Sequence, residues 1–225
     1  YASTLSELKQ ATFSPSSDIR FCTFQNSGQI LPSGATLDNC SFLDLMNSTP
    51  ISASYQVNIS GSAPTLTNGV FTNCATAIKW DVNTDTNGKL DNSEFNSGGT
   101  GHAIEFGSNT PTTCSLTNVG FSGYSGTPGS NLTASNGSND AAIYNNAGKA
   151  MLINILGGST PSVQNGAGAT TTITANLVTL TLTGLISNSE VIILAAGTST
   201  ELDGVESSGT SFSYIYSYVA GVYID

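Results

Sequence analysis

The sequence predicts an all-β protein whose larger part is a coil of short stacked strands. Only 9% of the 225 residues are charged, and five Lys and Arg are too few to cover the faces of a helical protein of this size. Apolar positions recur along nearly the whole chain, which excludes a disordered composition. A short motif also repeats along the first part of the chain, and repeats with periods of 20–50 residues are typical of solenoids and related arrays.

The repeated motif is Leu-[Asp/Thr]-Asn-x-x-Phe. It occupies residues 37–42, 66–71, 90–95 and 116–121, with a degenerate copy at 19–24. A second motif, Ala-Ile-x-aromatic, alternates with it at residues 77–80, 103–106 and, in a shorter form, 142–144. The distance between successive copies of the first motif varies from 18 residues (19 to 37) to 29 residues (37 to 66), so we expect loops of different length to project outward between strands.

Each copy is too short to bury a core alone, whereas stacked copies can do so by hydrogen bonding at the strand spacing of ~4.8 Å. The spacing predicts two interior rows, Leu37, Leu66, Leu90 and Leu116 in one and Phe42, Phe71, Phe95 and Phe121 in the other. Asn tolerates the left-handed conformation of a sharp bend and can bond to stacked equivalents. We therefore expect Asn39, Asn68, Asn92 and Asn118 to form a ladder inside the coil.

These motifs, joined by turns of small residues, resemble the right-handed parallel β-helix of pectate-lyase-like proteins, of the type found in phage tailspikes, tail fibres and baseplates. The resemblance covers about residues 15–160 and implies a right-handed parallel β-helix, a solenoid. Many such β-helices cleave acidic polysaccharides, and many others are virion parts without a catalytic site. The resemblance therefore indicates the fold and leaves enzyme and structural protein open.

We expect an N-terminal lead-in over 1–14, the β-helix over 15–165 and a small antiparallel β-sandwich-like module over 166–225. Residues 122–140 are Gly, Ser, Asn and Pro with few apolar residues, which predicts a long loop, and 149–156 predicts the last strand of the coil. Period-2 alternation predicts antiparallel strands at Thr170–Ala175, Leu177–Thr183, Glu190–Ala196, Ser211–Tyr218 and Gly221–Ile224. This part resembles a β-module of phage tail and other virion proteins, and we expect it to be incomplete at Asp225.

The charge distribution excludes two classes of partner. The net charge is −10, and the five basic residues are scattered singly, so no basic stripe exists to bind nucleic acid or an anionic membrane surface. No apolar run approaches the ~20 residues of a membrane-spanning helix. Because the chain begins at Tyr1 rather than Met, we expect it to be a fragment of a longer polypeptide or a processed product.

No catalytic constellation is predicted. Arg20, the single Arg that a lyase would need, lies in the most degenerate motif copy, where we expect a solvated side chain. Asp38 and Asp91 occupy equivalent positions two copies apart, about 10 Å, beyond the spacing of a paired acid and base. His102, the single His, is expected in a surface turn. The widely spaced Cys22, Cys40, Cys74 and Cys114 are expected to be buried free thiols.

Residues 83–94 match the twelve-residue calcium loop D-x-[DN]-x-[DN]-G-x5-E except at the first position, where Asn83 replaces Asp. The candidate ligands are Asn83, Asp85, Asn87, Asp91 and Glu94. Helices should flank such a loop, whereas the neighbouring sequence predicts strands. We expect a polar turn without a cofactor, and the alternative is a Ca²⁺ ion on the outer face held by Asp85, Asp91 or Glu94.

The low charge and the stacked repeats suit a rigid extracellular rod. Together with this, the resemblance implies a structural virion protein, part of a bacteriophage tail spike, fibre or baseplate that acts in assembly or host attachment. The alternatives are a polysaccharide lyase or hydrolase of the β-helix class and a bacterial surface adhesin. For the first function we expect an extracellular location in the virion, a homotrimer, contacts with other virion proteins and binding to a host surface glycan.

Overall fold

The computed structural model divides the chain into two compact units, Tyr1–Ala175 and Asn176–Asp225. It describes residues 3–8, 10–44, 55–74, 76–99, 101–129, 132, 135–175, 177–194, 199–206 and 209–217. Throughout these ranges the regular structure is β-strand, without helix. The predicted all-β class with parallel sheets is confirmed.

The described strands are numbered along the chain. They are β1 (Ser3–Ser6), β2 (Gln10–Thr12), β3 (Asp18–Arg20), β4 (Cys22–Gln25), β5 (Gln29–Leu31), β6 (Thr36–Asp38), β7 (Ser41–Leu43), β8 (Tyr55–Ser60), β9 (Val70–Cys74), β10 (Thr76–Asp81), β11 (Glu94–Ser97), β12 (Ile104–Phe106), β13 (Thr113–Ser122), β14 (Ile143–Asn145), β15 (Ala150–Gly158), β16 (Val163–Asn165), β17 (Thr170–Thr174), β18 (Leu177–Thr183), β19 (Val191–Leu194), β20 (Glu201–Val205) and β21 (Ser211–Ser217).

Two parallel sheets build the first unit. The first sheet has eight strands in the order β1-β4-β7-β9-β11-β13-β15-β17, and the second has seven in the order β16-β14-β12-β10-β8-β5-β2. Strands β3 and β6 form a short third sheet, also parallel. Apart from these two strands, successive strands of the first unit belong alternately to the first and the second sheet.

The phenylalanines of the repeated motif form one continuous interior row. Parallel registers pair Phe42 with Phe71, Phe71 with Phe95 and Phe95 with Phe121. The ring centroids lie 4.4, 4.6 and 5.6 Å apart, with the planes within 13° of parallel. Phe24 extends the row at 5.2 Å from Phe42. The predicted row is confirmed, although Phe121 is only partly buried because the pairing of β13 with β15 ends at Val119.

The leucines form a second interior row, as predicted. Leu37, Leu66, Leu90 and Leu116 are each at most 1% exposed. Backbone bonds keep neighbouring copies level: the Leu37 N–H donates to the Thr65 carbonyl (2.8 Å), and the Asn92 N–H donates to the Thr117 carbonyl (3.0 Å). The second motif is equally regular, since Ile78, Ile104 and Ile143 are paired in register and fully buried.

The parallel sheets extend beyond both predicted ends. Strands β1 and β2 lie within 1–14, where a lead-in was expected, and pair in parallel with β4 and β5. At the other end, β16 follows the strand 149–156 that was expected to be the last, and β17 lies beyond residue 165, where the coil was expected to end. The expectation for Thr170–Ala175 was wrong, because β17 pairs in parallel with β15. Alternation at period 2 places Thr171 and Ile173 in the core but does not distinguish a parallel from an antiparallel partner.

The second unit contains two antiparallel pairs. Strand β18 pairs with β21, and β19 pairs with β20. Three predicted strands agree with β18, β19 and β21 within a few residues, whereas β20 was not predicted as a strand. The predicted strand Gly221–Ile224 lies outside the described residues.

Candidate functional site

The predicted asparagine ladder exists, but on the outside of the sheets. Asn39, Asn68, Asn92 and Asn118 all have left-handed backbones, with φ of 53°, 54°, 58° and 52°. The Asn92 side-chain amide donates to Asn68 Oδ1 (3.3 Å), and the Asn118 amide donates to Asn92 Oδ1 (3.2 Å). Asn39, Asn92 and Asn118 are exposed. The expectation of a ladder inside the coil was wrong, because a left-handed corner between two inward residues turns its side chain outward.

The buried amide of this fold is Asn145, which the sequence analysis did not single out. It is fully buried and level with Phe106 in the second sheet. Its amide donates to the Thr170 carbonyl (3.0 Å) and Thr171 Oγ1 (2.9 Å), and its Oδ1 accepts from the Ala147 N–H (3.1 Å). Donor and acceptor are both satisfied, as a buried polar group requires. The signal was the polar residue at an aromatic position of the second motif.

At one end of the ladder, the Asn68 side-chain amide donates to the carboxylate of Asp38 instead of to the side-chain oxygen of Asn39. Its carboxylate accepts from the Asn68 amide (2.7 Å), Thr67 Oγ1 (2.8 Å) and the Asn39 amide (2.9 Å). The bond from Asn68 contributes most to lowering the pKa of Asp38, with smaller help from Thr67, Asn39 and Arg20 against the opposing effect of burial. Asp38 is therefore an ionised structural acceptor.

The loop 83–94 uses its acidic side chains to bind its own backbone and the next turn of chain. Asp85 Oδ1 accepts from the N–H groups of Asn87 (3.1 Å) and Ser115 (2.7 Å), and Asp91 Oδ1 accepts from the Gly88 N–H (2.8 Å). The Asn87 side-chain oxygen accepts from Thr117 Oγ1 (3.1 Å). These contacts join the loop to β13 of the following turn.

The remaining candidate ligands of that loop do not converge with Asp85 and Asp91. Asn83 and Glu94 are exposed, and the Glu94 carboxylate lies against the backbone of Gly120 in the next strand. Among the residues that the structure describes, no group of three or more His, Cys, Asp or Glu side chains is gathered to hold a metal ion.

The contact between Glu94 and Gly120 is one of a series. Four polar side chains lie over a glycine of the following turn, at a place where any Cβ would overlap the side chain. The pairs are Asn73 with Gly98, Asp81 with Gly107, Glu94 with Gly120 and Asn118 with Gly157. Asp81 also accepts from the Asn109 N–H (2.9 Å). These polar groups bind neighbouring turns of the chain.

Among the candidate lyase and hydrolase residues, Arg20 lies close to Asp38, whereas the two carboxylates of the candidate pair, Asp38 and Asp91, are separated by one motif copy. Arg20 is exposed and forms a salt bridge with Asp18 (2.9 Å), while its guanidinium lies 3.8 Å from Asp38. Asp38 and Asp91 are separated by the copy that carries Thr67, whose carbonyl accepts from the Asn39 N–H (3.1 Å). Within the described part of the chain, neither Arg20 nor this pair of carboxylates belongs to a catalytic constellation.

His102 is buried, 8% exposed, which corrects the expected surface turn. Nδ1 lies 2.6 Å from the Ala141 carbonyl, so Nδ1 carries the hydrogen, and the ring stacks on Tyr144 at 4.9 Å. Burial lowers the pKa of His102, against smaller raising effects of the Ala141 bond, Glu105 and Asp140. The residues that pack over His102 lie about forty positions later in the chain. The sequence next to His102 therefore does not indicate that it is buried.

Glu105 is a second buried polar residue that the sequence analysis missed. It is 5% exposed, although it occupies the outward position between the core residues Ile104 and Phe106. Its carboxylate accepts from the Asn146 amide (3.0 Å), and the strand register places it level with Lys79 and Tyr144. The sequence offered one indication of this arrangement: the variable position of the second motif is Lys79 in one copy and Glu105 in the next, which places opposite charges on neighbouring strands.

The four cysteines are free, as predicted. Cys40, Cys74 and Cys114 are buried, and Cys22 is half-buried. Burial raises the pKa of Cys114 to about 12, with a smaller contribution from Asp85. A thiol with such a pKa is protonated at neutral pH and is a poor nucleophile. The cysteines therefore act as small apolar residues of the core.

The second unit contains one described depression with acidic walls. It measures about 140 Å³ and lies along β19 and β20. Glu190, Glu201 and Glu206 line it together with Val191 and Ile192. The three carboxylates are not gathered into a metal-binding group.

Comparison with known proteins gives no relative. No protein-family model matches the chain. No curated protein matches it, and no solved structure does.

In the described ranges there is no helix of the length and apolar character needed to cross a membrane.

Proposed function

We propose that this chain is a structural virion protein, part of a bacteriophage tail spike, fibre or baseplate, acting in assembly or host attachment. The observation that carries the proposal is the repeated use of polar side chains for contacts between successive turns. Asp38, Asp85 and Asp91 accept bonds from neighbouring turns or from their own loop. Groups engaged in this way stabilise the contacts between neighbouring turns, as a structural rod requires.

The finer fold that we infer is a right-handed parallel β-helix with a small antiparallel sandwich after it. The support is the alternation of the chain between two parallel sheets, with equivalent residues kept level. The left-handed corners at the asparagines provide sharp bends between successive strands. A solenoid of this kind is stabilised by contacts between neighbouring turns, which suits an extended and rigid particle component.

We further infer a homotrimer with parallel axes, located in the virion, that contacts other virion proteins and a host surface glycan. The outward face of the first sheet supports the trimer, because uncharged residues predominate on the level of that face given next, with one charged side chain among five. One level of that face consists of Thr23, Ser41, Val70, Glu94 and Gly120. Such a face can pack closely against a second copy without burying many charges.

Three outcomes distinguish the proposal from its alternatives. Gold-labelled antibodies raised against the purified chain are applied to sedimented virus particles and to uninfected bacteria from the same sample. The bound gold is then located by electron microscopy. Label on the tails of particles supports the proposal, and label on uninfected cells would establish the surface adhesin instead. Loss of viscosity of a bacterial surface polysaccharide on incubation with the chain would establish the lyase or hydrolase.

A further inference from the structure

The loop 123–142, defined here as the segment between β13 and β14, has contacts with strands that follow it in the chain. Its described residues are 123–129, 132 and 135–142. None of these residues forms a strand. The contacts are with β16 and β17, which are the terminal strands of the two large parallel sheets.

The first contact covers the edge of β16. Alternate residues of an outer strand direct N–H and C=O groups away from the sheet, where they can pair with another strand. In β16 the residue that does so is Val163, because the carbonyl of Ser162 faces β14 and accepts from the Ile143 N–H (3.0 Å). The Val163 N–H donates to Asn136 Oδ1 (2.5 Å), and its carbonyl accepts from the N–H groups of Asn136 (2.9 Å) and Gly137 (2.7 Å).

The second contact covers the edge of β17. The amide of Thr170 faces β15, where it donates to the Lys149 carbonyl (3.3 Å), so the amide of Ile173 faces the other way. The Ile173 N–H donates to the Leu132 carbonyl (3.0 Å). The same loop therefore pairs with outward backbone groups on the terminal strands of both sheets.

The loop is itself folded and anchored. The Ser125 N–H donates to the Asp140 carbonyl (3.1 Å), and Ser162 Oγ donates to the Ser125 carbonyl (2.7 Å). Two glycines cross closely: a Cβ on Gly126, whose φ is +88°, would lie 2.4 Å from the Gly137 Cα. A crossing of this kind leaves no room for a side chain at Gly126.

We propose that the described residues of the loop 123–142 form a cap that closes the β17 edge of the first sheet and the β16 edge of the second sheet against strand addition by a second copy of this chain. Solenoids need capped ends because an open terminal repeat presents unpaired backbone and apolar residues to solvent. In this chain the cap precedes the strands that it covers. It contacts β16 through Val163 and β17 through Ile173. The inference concerns the fold and does not depend on the proposed function.

The test compares two glycine variants of the whole chain. Gly126→Ala places a Cβ against Gly137, whereas Gly99→Ala places one at a similar φ of +91° with nothing within 4 Å. Hydrogen exchange is measured at the amides of Val163 and Ile173. We expect exchange about tenfold faster in Gly126→Ala than in the wild type, and wild-type rates in Gly99→Ala. Sedimentation velocity should show concentration-dependent association of Gly126→Ala beyond the wild-type state.

A second pair of variants keeps the test decisive if Gly126→Ala does not fold. Asn136→Ala removes the acceptor of the Val163 N–H, whereas the control Asn109→Ala removes an exposed side-chain amide outside the loop. Faster exchange at Val163 in Asn136→Ala alone supports the cap. Unchanged exchange at Val163 and Ile173 in both Gly126→Ala and Asn136→Ala would overturn it. Faster exchange without added self-association would overturn its role against strand addition.

Discussion

Replacing Phe71 by Ala should destabilise the first unit more than any other single truncation in the phenylalanine row. Phe71 is 1% exposed and stacks on two rings, Phe42 at 4.4 Å and Phe95 at 4.6 Å. Truncation of a buried Phe costs about 3–5 kcal/mol, and each lost ring pair adds about 0.5–1.5 kcal/mol. We therefore expect the free energy of unfolding to fall by about 5 kcal/mol.

Phe121→Ala is the matched control, since Phe121 belongs to the same row. It is only partly buried and has one ring neighbour, Phe95, at the longer distance of 5.6 Å. With less of its surface buried and one ring pair instead of two, we expect a smaller loss, about 2 kcal/mol. The difference between the two variants, about 3 kcal/mol, measures the value of a position in the middle of the row.

The assay is urea unfolding followed by the fluorescence of Trp80, the single Trp of the chain, which is fully buried in the first unit. Midpoints and slopes give the free energies of unfolding for wild type and both variants. Equal losses for Phe71→Ala and Phe121→Ala would refute the stacked row as the main source of stability. A loss below about 2 kcal/mol for Phe71→Ala would refute the burial on which the estimate rests.

Three further predictions concern the corner, the histidine and the calcium loop. Phe21→Asn should raise the unfolding free energy by about 0.5–1 kcal/mol, because Phe21 is 58% exposed at a φ of 55°, which Asn tolerates better; a lower urea midpoint would contradict this. Because burial lowers the pKa of His102, the unfolded chain takes up a proton that the folded chain does not. Stability should therefore fall as pH decreases from about 6.5 towards 5, and His102→Gln should remove this slope; a slope that persists in the variant would assign it elsewhere. The melting temperature should be the same with chelator and with Ca²⁺, since Asp85 and Asp91 already accept backbone bonds; a bound ion at a hundred times its dissociation constant would add about 2.7 kcal/mol and establish the calcium alternative.

The interior rows could be predicted from the sequence because burial repeats with the motif. Leu at the first position and Phe at the sixth are separated by the corner asparagine, and both point into the core. The left-handed φ of Asn68 was also predictable, whereas the direction of its side chain was not, since it depends on how the corner is placed between two strands. The parallel pairing of β17 could not be predicted, because Thr-Ile-Thr alternates in the same way in either orientation.

Polar side chains of the candidate sites were harder to place for a different reason. The environment of His102 depends on Ala141 and Tyr144, which are brought over it by the return of the loop 123–142. The environment of Asp85 depends on Ser115, thirty residues later. Motif matching compares residues close in sequence, as in the calcium loop, and does not include the donors that the next turn of chain supplies.

The glycines that lie under polar side chains make each turn of this chain specific for its neighbour. Glu94 is matched to Gly120 and Asn118 to Gly157, because a Cβ at either glycine would overlap the polar side chain and force it to leave its position. A duplicated or exchanged turn would place Glu94 or Asn118 opposite a residue with a side chain and lose the fit. Although the motif copies look interchangeable in sequence, they differ in these pairs, and a chimera or shortened version keeps the observed contacts when each polar residue stays together with its glycine.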